Sequence, residues 1–357
     1  MREVQSETVL VTGAGGYIGS VLVPKLLSKG YRVKAVDRFF FGLDKLKPHE
    51  NLEIIKDDTR VLSEEHFKDV DFVVDLVAIS NDPTGERFNE ATWQINHYSR
   101  VRTAKISKRL GVKRYIFPSS CSIYGFQENI VDENSPVNPL TTYAKANLQA
   151  EKDIIPLADK NFIVVALRFS TVFGYSPRMR FDLAINGMTY GAWKTGRLPL
   201  MRDGTQYRPF VHIEDVAEAV IKFLEFPDET KINGEIFNVG GDELNYQIGK
   251  LGKIVAELVE KETGKSVDIE WYGDPDKRSY RVSFKKIKNV INWTPKRKAE
   301  DGVKEIIQKL ESGEIDKTIQ TITLDWYTEL EKWYNLIKEL EMYGGILNIK
   351  FDKESLR

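Results

Sequence analysis

The segment 8–20, with the sequence TVLVTGAGGYIGS, constrains the fold of this chain more than any other. Its first four residues form a short apolar, β-branched run that predicts a buried parallel strand. Gly13, Gly16 and Gly19 follow, and the periodic run 17–27 predicts a helix. A strand that passes through a glycine turn into a helix is the first unit of a doubly wound α/β fold.

Each glycine of this turn has a physical reason. Gly13 permits the sharp exit from the strand, Gly16 lets the backbone approach a pyrophosphate, and Gly19 lets the helix pack close to the sheet. The helix N-terminus around Tyr17 and Ile18 offers backbone N–H groups and the positive end of a dipole to phosphates. The turn therefore predicts a dinucleotide site that contains all five residues. A plain strand-to-helix turn is the alternative.

An acidic residue after the second strand distinguishes between two dinucleotides. The run 32–36 predicts this strand, and Asp37 ends it, 24 positions after Gly13 (from 13 to 37). A carboxylate at this place accepts hydrogen bonds from the adenosine ribose hydroxyls and repels a 2′-phosphate. We therefore expect NAD as the cofactor, while the neighbouring Arg38 leaves NADP open.

The next two predicted strands, 52–56 and 72–79, should end at the same edge of the sheet. Asp58 and Thr59 follow the first of them, and Asp58 is a candidate to bind the adenine amino group. A turn acid without a ligand is an equal alternative for Asp58. Ala78, at the end of the second strand, should lie along the cofactor.

The rest of the chain continues the alternation of strands and helices. Up to residue 118 this alternation predicts a parallel, doubly wound sheet of Rossmann type, and hence an α/β fold. The periodicity weakens over 174–210, so this segment should leave the sheet, whereas 246–310 should form a helix, a strand and a helix over its carboxyl edge. Further predicted elements are helices 88–110, 143–158 and 216–226 and strands 114–118, 162–169 and 236–239.

These elements suggest two lobes, the second of them a smaller α/β lobe for the substrate. The amphipathic run 321–343 predicts one more helix, which should pack on its own lobe or cover a partner. The predicted divisions are 1–173 plus 211–240 for the dinucleotide, 174–210 plus 241–345 for the substrate, and 346–357 as a flexible tail.

The bulk composition is that of an ordinary globular protein. Hydrophobic residues make up 41% of the 357 residues, and the formal net charge is −1, so nothing calls for nucleic acid or an anionic membrane. No apolar run is long enough to span a bilayer, and no signal peptide opens the chain. The single cysteine excludes a disulfide framework. We therefore expect a cytoplasmic protein, and we predict no metal site.

Six sequence motifs together resemble one family. The chain is similar to the extended short-chain dehydrogenase/reductases, in the branch of nucleotide-sugar epimerases and dehydratases that includes UDP-galactose 4-epimerase-like enzymes. The motifs occur in the order found in that family. They are TGAGGYIG (12–19), SSCSIYG (119–125), TYAKAN (142–147), RFSTVFG (168–174), DGTQYRPFVHIEDVA (203–217) and the pair RSY (278–280) and NWTP (292–295).

This resemblance implies a reaction and the residues for it. In the family, NAD oxidises a sugar carbon, usually C4 of a nucleoside-diphosphate hexose, and a tyrosine takes the hydroxyl proton. Tyr143 matches that tyrosine. Ser120 matches the serine or threonine that hydrogen-bonds the same oxygen, with a simple strand-end serine as the alternative. The resemblance also places Tyr143, Asn96 and Asn147 in the cofactor site.

The chain departs from the family pattern at position 147. The family has a lysine four residues after the tyrosine, which faces the nicotinamide ribose and lowers the tyrosine pKa, whereas this chain has Asn147. Lys145 lies on a different face of the helix and does not replace it directly. A free tyrosine titrates near ~10, so a base useful near neutrality needs about 4 kcal/mol of stabilisation. One ammonium about 4 Å away supplies around that amount, and an asparagine brings no charge.

Three explanations for Asn147 stay open at this point. The residue is an engineered inactivating change, or the charge of the oxidised nicotinamide suffices for a slow enzyme, or the natural protein binds NAD with impaired turnover. Dehydratases of this branch carry an Asp-Glu pair where this chain has Cys121 and Ser122, so 4,6-dehydration is not expected. The resemblance then favours an epimerase, with an NAD-dependent C4 dehydrogenase or reductase as the alternative.

Arginines should hold the diphosphate of the nucleotide-sugar substrate, because their planar fork matches phosphate oxygens. Arg208 and Arg278 match family positions that bind this pyrophosphate. Arg180 is a looser candidate, with a surface salt bridge equally plausible. The resemblance also suggests a homodimer in which the helices that carry Asn96 and Tyr143 pair with their copies.

Overall fold

The computed structural model describes residues 6–276 and 278–348. The strands within these residues are β1 (Thr8–Thr12), β2 (Arg32–Asp37), β3 (Leu52–Lys56), β4 (Phe72–Asp75), β5 (Arg114–Ser120), β6 (Phe126–Val131), β7 (Ile163–Phe169), β8 (Thr171–Phe173), β9 (Arg197–Met201), β10 (Tyr207–His212), β11 (Glu235–Val239), β12 (Asn245–Gln247), β13 (Asp268–Tyr272) and β14 (Ser279–Val282). The α-helices are α1 (Gly19–Ser28), α2 (Asp82–Arg87), α3 (Asn89–Trp93), α4 (Arg100–Arg109), α5 (Thr142–Ile154), α6 (Ala184–Thr195), α7 (Ile213–Glu225), α8 (Ile248–Thr263), α9 (Lys285–Ile291), α10 (Ala299–Glu311) and α11 (Thr323–Leu340).

Seven parallel strands form the central sheet, in the order β3-β2-β1-β4-β5-β7-β11. The direction of the strand order reverses between β1 and β4. In open α/β sheets a ligand binds beyond the carboxyl ends of the strands at such a switch point. The predicted doubly wound α/β fold is confirmed, and the glycine turn after β1 lies at its switch point.

The first strand shows why its sequence is an unbroken apolar run. Val9 and Val11 face the core that contains Leu22 of α1 and Val216 of α7. Leu10 points to the opposite face, into the core that contains Ala104 of α4. Successive side chains of a strand point to opposite faces, and both faces of this parallel sheet are covered by helices, so every position of β1 is buried.

Smaller sheets and a third core lie beside the central sheet. β10 pairs in parallel with β8 and antiparallel with β12, while β9 pairs with β13 and β6 with β14. The third core joins α6, α8 and α10 to Phe173, Leu198 and Phe210. The division of the chain into two lobes stays a prediction. No helix in the described part of the chain is both long and apolar enough to cross a bilayer.

Three predicted segments differ from the observed ones. The segment 246–310, predicted as a helix, a strand and a helix, forms α8, β13, β14, α9 and α10, and its additional strand β14 pairs with the distant β6. The strand predicted for 72–79 ends at Asp75, because the N–H of Val77 donates to the Thr12 hydroxyl (3.2 Å) instead of continuing the ladder. The helix predicted for 88–110 consists of α3, a π-helical turn at Gln94–Ser99, and α4. A π turn contains an extra residue, and it rotates the side chains that follow it.

The predicted helix 321–343 is observed as α11, and it packs against the loop after β2, a segment that the predicted division gives to the other lobe. The indole Nε1 of Trp326 donates to the carbonyl of Phe40, in the loop after β2 (2.8 Å). The ring of Tyr327 contacts the rings of Phe40, Phe41 and Phe88. The first half of α11 is therefore anchored beside the glycine turn. The predicted tail 346–357 lies mostly outside the described residues.

Candidate active site

A cavity of about 950 Å³ lies at the carboxyl edge of the central sheet, where β1 and β4 end. This volume is at the upper end of the range for small-molecule sites. Three of the residues that the sequence assigns to a site, Asn96, Cys121 and Asn147, do not line it. The assigned residues that line it are Gly13, Gly16, Tyr17, Ile18, Gly19, Asp37, Arg38, Asp58, Thr59, Ala78, Ser120, Ser122, Tyr143, Arg180, Arg208 and Arg278.

The glycine turn leaves no room for side chains. Gly13 has a positive φ of 64°, and a Cβ there would lie 2.8 Å from the backbone nitrogen of Val77. A Cβ on Gly19 would lie 2.4 Å from the Gly13 carbonyl oxygen. Among the described residues, no acceptor binds the N–H groups of Tyr17 and Ile18. Donors at a helix N-terminus, beside a cradle that any Cβ would fill, suit a pyrophosphate.

Asp37 is held at the carboxyl end of β2 by backbone donors. Its carboxylate accepts the N–H of Gly15 (3.0 Å) and of Phe39 (2.7 Å). Burial raises the pKa of this carboxyl, while these backbone bonds and the charge of Arg178 act in the opposite direction. Each carboxylate oxygen has a second lone pair, so Asp37 can still accept from a ribose hydroxyl.

Arg178 is a cavity-lining cation that the sequence analysis missed. Its guanidinium lies 3.7 Å from the centre of the Phe41 ring and donates to the Thr323 hydroxyl (3.0 Å). No carboxylate within the described residues forms an ion pair with it. Burial lowers the pKa of Arg178 to about 10. A buried guanidinium with few neutral partners is suited to an anionic ligand, and only its contacts across the fold reveal this.

Asp58 is an ion-pair acid at the end of β3. Its carboxylate accepts from Arg60 Nε (2.9 Å) and Nη2 (2.6 Å) and from Arg38 Nη1 (3.2 Å). The bonds from Arg60 lower the pKa of Asp58. Thr59 is buried and faces the Ser99 hydroxyl at 3.2 Å. The adenine contact of Asp58 stays a prediction.

Tyr143 and Ser120 reach the cavity from two neighbouring elements. Thr141 caps α5 by accepting the N–H of Ala144 (3.2 Å), which places Tyr143 in the first turn of that helix. Ser120 is the last residue of β5, so its side chain lies at the carboxyl edge of the sheet. Burial raises the pKa of Tyr143, and the Ser120 hydroxyl and the charge of Arg100 act against that rise.

Asn96 and Asn147 lie behind the cavity wall. The Asn96 amide accepts the Ile79 N–H (2.8 Å) and donates to the Ile79 carbonyl (3.0 Å), so it holds the segment that carries Ala78. Asn147 donates to the Tyr143 carbonyl (2.9 Å) and accepts from Arg100 Nη1 (3.0 Å). Both amides act on the cavity through a neighbour.

The two residues in place of a dehydratase acid pair cannot perform acid-base work. Cys121 is buried, and its thiol donates to the Arg168 carbonyl (3.3 Å). Burial raises the pKa of this thiol, which keeps it protonated. Ser122 lines the cavity, and its hydroxyl is one of four buried polar atoms of the lining that have no hydrogen-bond partner among the described residues. These atoms are Ser119 Oγ, Ser122 Oγ, Ser170 Oγ and Gln206 Oε1.

The three predicted substrate arginines are all paired with carboxylates. Arg208 Nη2 and Arg278 Nη2 each donate to Asp276 (both 2.7 Å), and Arg278 also pairs with Asp82 of α2. Asp276 thus sets the separation of two guanidinium groups at one end of the cavity. The sequence analysis missed it, since an isolated loop aspartate has no motif.

Arg180 forms a buried salt bridge, not the surface pair considered above. Its Nε and Nη2 donate to Asp182 (2.9 and 3.0 Å), and its Nη1 donates to the Ser80 hydroxyl (3.0 Å). The charges and hydrogen bonds of Arg180 outweigh burial and lower the pKa of Asp182 to about 2. No cluster of three or more His, Cys, Asp or Glu side chains suited to a metal occurs in residues 6–276 and 278–348.

Comparison with known proteins identifies the family of this chain. The model of the NAD dependent epimerase/dehydratase family matches residues 9–240. An uncharacterized UDP-glucose epimerase of Bacillus subtilis (strain 168) is 28% identical over 324 residues, which are 85% of this chain and 98% of that protein. These matches confirm the resemblance seen in the sequence motifs.

Solved structures agree in fold over most of their length. MoeE5, in complex with UDP-glucuronic acid and NAD, is 25% identical with a TM-score of 0.76, and the match covers 86% of this chain and 99% of that one. A UDP-N-acetylglucosamine 4-epimerase of Methanobrevibacter ruminantium M1, in complex with UDP-N-acetylmuramic acid, is also 25% identical, with a TM-score of 0.75 and coverage of 86% and 99%.

Proposed function

Because the chain belongs to the NAD-dependent epimerase/dehydratase family, we propose that it is an NAD-dependent epimerase acting at C4 of a nucleoside-diphosphate sugar. One observation carries this proposal. Tyr143 and Ser120 line the same cavity as the glycine turn and the arginines Arg208 and Arg278. A dinucleotide at the turn and a diphosphate at the arginines would therefore meet in front of the tyrosine.

NAD is the cofactor of this family, and the residues around the turn fit it. The N–H groups of Tyr17 and Ile18 would bind its pyrophosphate, and Asp37 would accept from its adenosine ribose. Arg178 supplies a buried positive charge on the same wall. When bound, NAD would supply the acceptor, and later the donor, of the hydride exchanged with the sugar carbon.

Tyr143 would serve as the general base and then as the general acid. It takes the proton of the sugar hydroxyl, holds it while that carbon is a ketone, and returns it to the same oxygen. The Ser120 hydroxyl donates a hydrogen bond to this oxygen and so orients the sugar hydroxyl. Inversion at C4 requires that the ketone present its opposite face to the cofactor before the hydride returns to that carbon.

The substrate is therefore best held by its diphosphate, so that the sugar can turn. Arg208 and Arg278, which Asp276 holds together, provide guanidinium donors for the diphosphate. Relatives named for UDP-sugars support UDP as the nucleotide. Dehydration is disfavoured because Cys121 is buried and protonated.

The test is turnover by the purified chain with UDP-, GDP-, CDP- and dTDP-sugars. The absorbance of the NADH band is followed, and the stereochemistry of the product is determined. We expect one class of sugar to be interconverted with its C4 epimer without net NADH. Stoichiometric NADH with a released keto-sugar would indicate the dehydrogenase alternative. Bound NAD without a response to any sugar would contradict the enzyme proposal.

The cytoplasmic location and the homodimer also remain proposals. The family resemblance supports a dimer in which the π turn and α5 pair with their copies. These two elements lie side by side, since His97 Nε2 and Asp153 Oδ2 are 2.6 Å apart. The location is tested by fractionation of cells that express the chain.

A further inference from the structure

The missing lysine at position 147 leaves Tyr143 without the cation that the family places one helical turn away. The structure brings another cation to this place. Arg100, the first residue of α4, lines the cavity together with Tyr143, although its side chain is only 1% exposed. It comes from a different helix, so no spacing from the tyrosine reveals it.

The Arg100 guanidinium is held entirely by neutral oxygens. Nε and Nη2 donate to the Val77 carbonyl (3.1 and 2.8 Å), and Nη1 donates to the Pro118 carbonyl (2.8 Å) and to Asn147 Oδ1 (3.0 Å). No carboxylate within the described residues forms an ion pair with it. Its charge is therefore buried and not cancelled by a direct partner, so it acts strongly on groups nearby.

The π turn explains how Arg100 reaches the cavity. The extra residue within Gln94–Ser99 rotates the following side chains, and Arg100 is the first residue after it. Tyr115 donates to the Arg100 carbonyl (3.2 Å) and bonds the buried Asp75, which fastens this helix end to the sheet. The guanidinium is thus fixed between the ends of β4 and β5.

Asn147 is the link between this arginine and the tyrosine helix. Its carbonyl oxygen accepts from Arg100, and its amide nitrogen donates to the Tyr143 carbonyl. An asparagine fits here because it offers an acceptor to a guanidinium. A lysine at 147 would instead place an ammonium against that guanidinium, at a repulsive cost.

We propose that Arg100 supplies the positive charge that stabilises the Tyr143 phenolate in this chain, in place of a lysine at position 147, and that Asn147 orients it. This inference rests on the proposed role of Tyr143 as the base. Arg100 is a positioning residue in this scheme, since it acts on the reaction through the tyrosine.

Other groups around Tyr143 must be included in any pH argument. Burial raises the pKa of Tyr143, and the charge of Asp82 on α2 raises it further. The Ser120 hydroxyl lowers this pKa most, followed by Arg100 and then Arg180. Arg180 is paired with Asp182, which weakens its effect. Three further charged or titratable groups lie near these residues. Arg278 is paired with Asp82, Glu86 accepts the Thr142 N–H, and Asp75 lies behind Arg100.

Four variants, together with the single variant Asn147→Lys, test the proposal. Arg100→Gln removes the charge and keeps an amide donor, while Arg100→Lys keeps the charge. The double variant Arg100→Gln/Asn147→Lys moves the charge to the family's position. Lys105→Met is the control, because it removes an exposed positive charge from the same helix. Thermal unfolding and NAD binding show that each variant folds.

The first readout needs no substrate. Protein carrying [ζ-¹³C]tyrosine is titrated by NMR, and the Tyr143 resonance is assigned by its loss in Tyr143→Phe. In Arg100→Gln the phenol should titrate at higher pH than in the parent, whereas Arg100→Lys, the double variant and Lys105→Met should titrate near the parent. An unchanged Tyr143 titration in a folded Arg100→Gln overturns the proposal.

The second readout is turnover. In Arg100→Gln the sugar conversion rate near neutral pH should fall about tenfold or more, because a rise of one in the Tyr143 pKa lowers the phenolate fraction tenfold. The rising limb of the pH–rate profile should move to higher pH. The double variant should recover both the rate near neutral pH and the position of the rising limb. Asn147→Lys alone should lose thermal stability; faster turnover without that loss overturns the proposal. If no variant, the parent included, turns over a sugar, the proposed function fails, while the NMR titration still decides the role of Arg100.

Discussion

At the residue scale, the protonation of Tyr143 should control the rate. Burial raises the pKa of this phenol, and the base is its deprotonated form, so turnover should rise with pH. Sugar conversion at saturating substrate, measured from about pH 6 to pH 10, should show one rising limb. Tyr143→Phe should lower the rate by about 10²- to 10⁴-fold and retain NAD, whereas Tyr98→Phe, at an exposed tyrosine, should behave as the parent. A flat pH profile would mean that the base lies elsewhere.

Asp37 should determine the affinity for the dinucleotide. Asp37→Asn removes the charge that strengthens hydrogen bonds from the ribose, which is worth about 1.5 to 3 kcal/mol, so NAD should bind roughly 10- to 100-fold more weakly. The affinity for NADP should fall less, because the substitution also removes the repulsion between the Asp37 carboxylate and the 2′-phosphate. Calorimetric titration measures both. The control is Asp44→Asn in the same loop, whose side chain is 72% exposed. Equal losses for both cofactors would refute the assigned contact.

The residues that sequence could and could not reveal differ in a physical way. Gly13 and Asp37 could be proposed from the sequence because their assigned contacts depend on the local backbone at the ends of the first two strands. Arg100, Arg178 and Asp276 act through contacts between segments far apart in the chain, and none belongs to a short motif. Their roles follow only once the fold brings them to one cavity.

At the element scale, the strands of the sheet were predictable because both faces are buried and their sequences are short apolar runs. Two of the misassigned segments, 72–79 and 88–110, have local causes that periodicity does not report. The Thr12 side chain ends β4 early by taking the N–H of Val77. The π turn before Arg100 changes the helical register while keeping the segment helical.

The loop between β13 and β14 should set the affinity for the nucleotide sugar. Arg208→Ala removes one of the two guanidinium groups held by Asp276, so UDP-sugar should bind about tenfold or more weakly while NAD binding is unchanged. Arg281→Ala is the matched control, because Arg281 lies on β14 and bonds Glu128 outside the cavity. Fluorescence titration with each ligand measures the effect. A parallel loss of NAD would show that Arg208 lies at the other end of the site.

Helix α11 should stabilise the cofactor wall. Trp326 is 7% exposed and bonds the Phe40 carbonyl, so Trp326→Ala should lower the free energy of unfolding by about 3 to 5 kcal/mol. NAD affinity should fall as well, because Phe40 and Phe41 line the cavity. Trp333→Ala, on the same helix but 45% exposed, should change neither property much. Chemical denaturation measures the first effect and calorimetric titration the second.

At the scale of the whole molecule, the central sheet brings the candidate cofactor residues at the ends of β1, β2 and β3 and the catalytic candidate at the end of β5 to one edge. The smaller sheets bring Arg208 and Arg278 to the same edge. The sequence order of the motifs predicts that convergence, because parallel strands share a carboxyl edge. It does not predict which charges pair across it, since that depends on distances between side chains.

The proposed dimer should depend on the exposed surface of the π turn and α5. The π turn and α5 lie side by side, and Tyr98 on the π turn is 61% exposed, so the two elements present a largely exposed aromatic side chain to solvent. Tyr98→Glu should therefore give a monomer by light scattering, because a charge buried in a self-complementary interface is not compensated. Tyr334→Glu, at a 64% exposed tyrosine on α11, should remain dimeric. The opposite pattern would place the interface on α11.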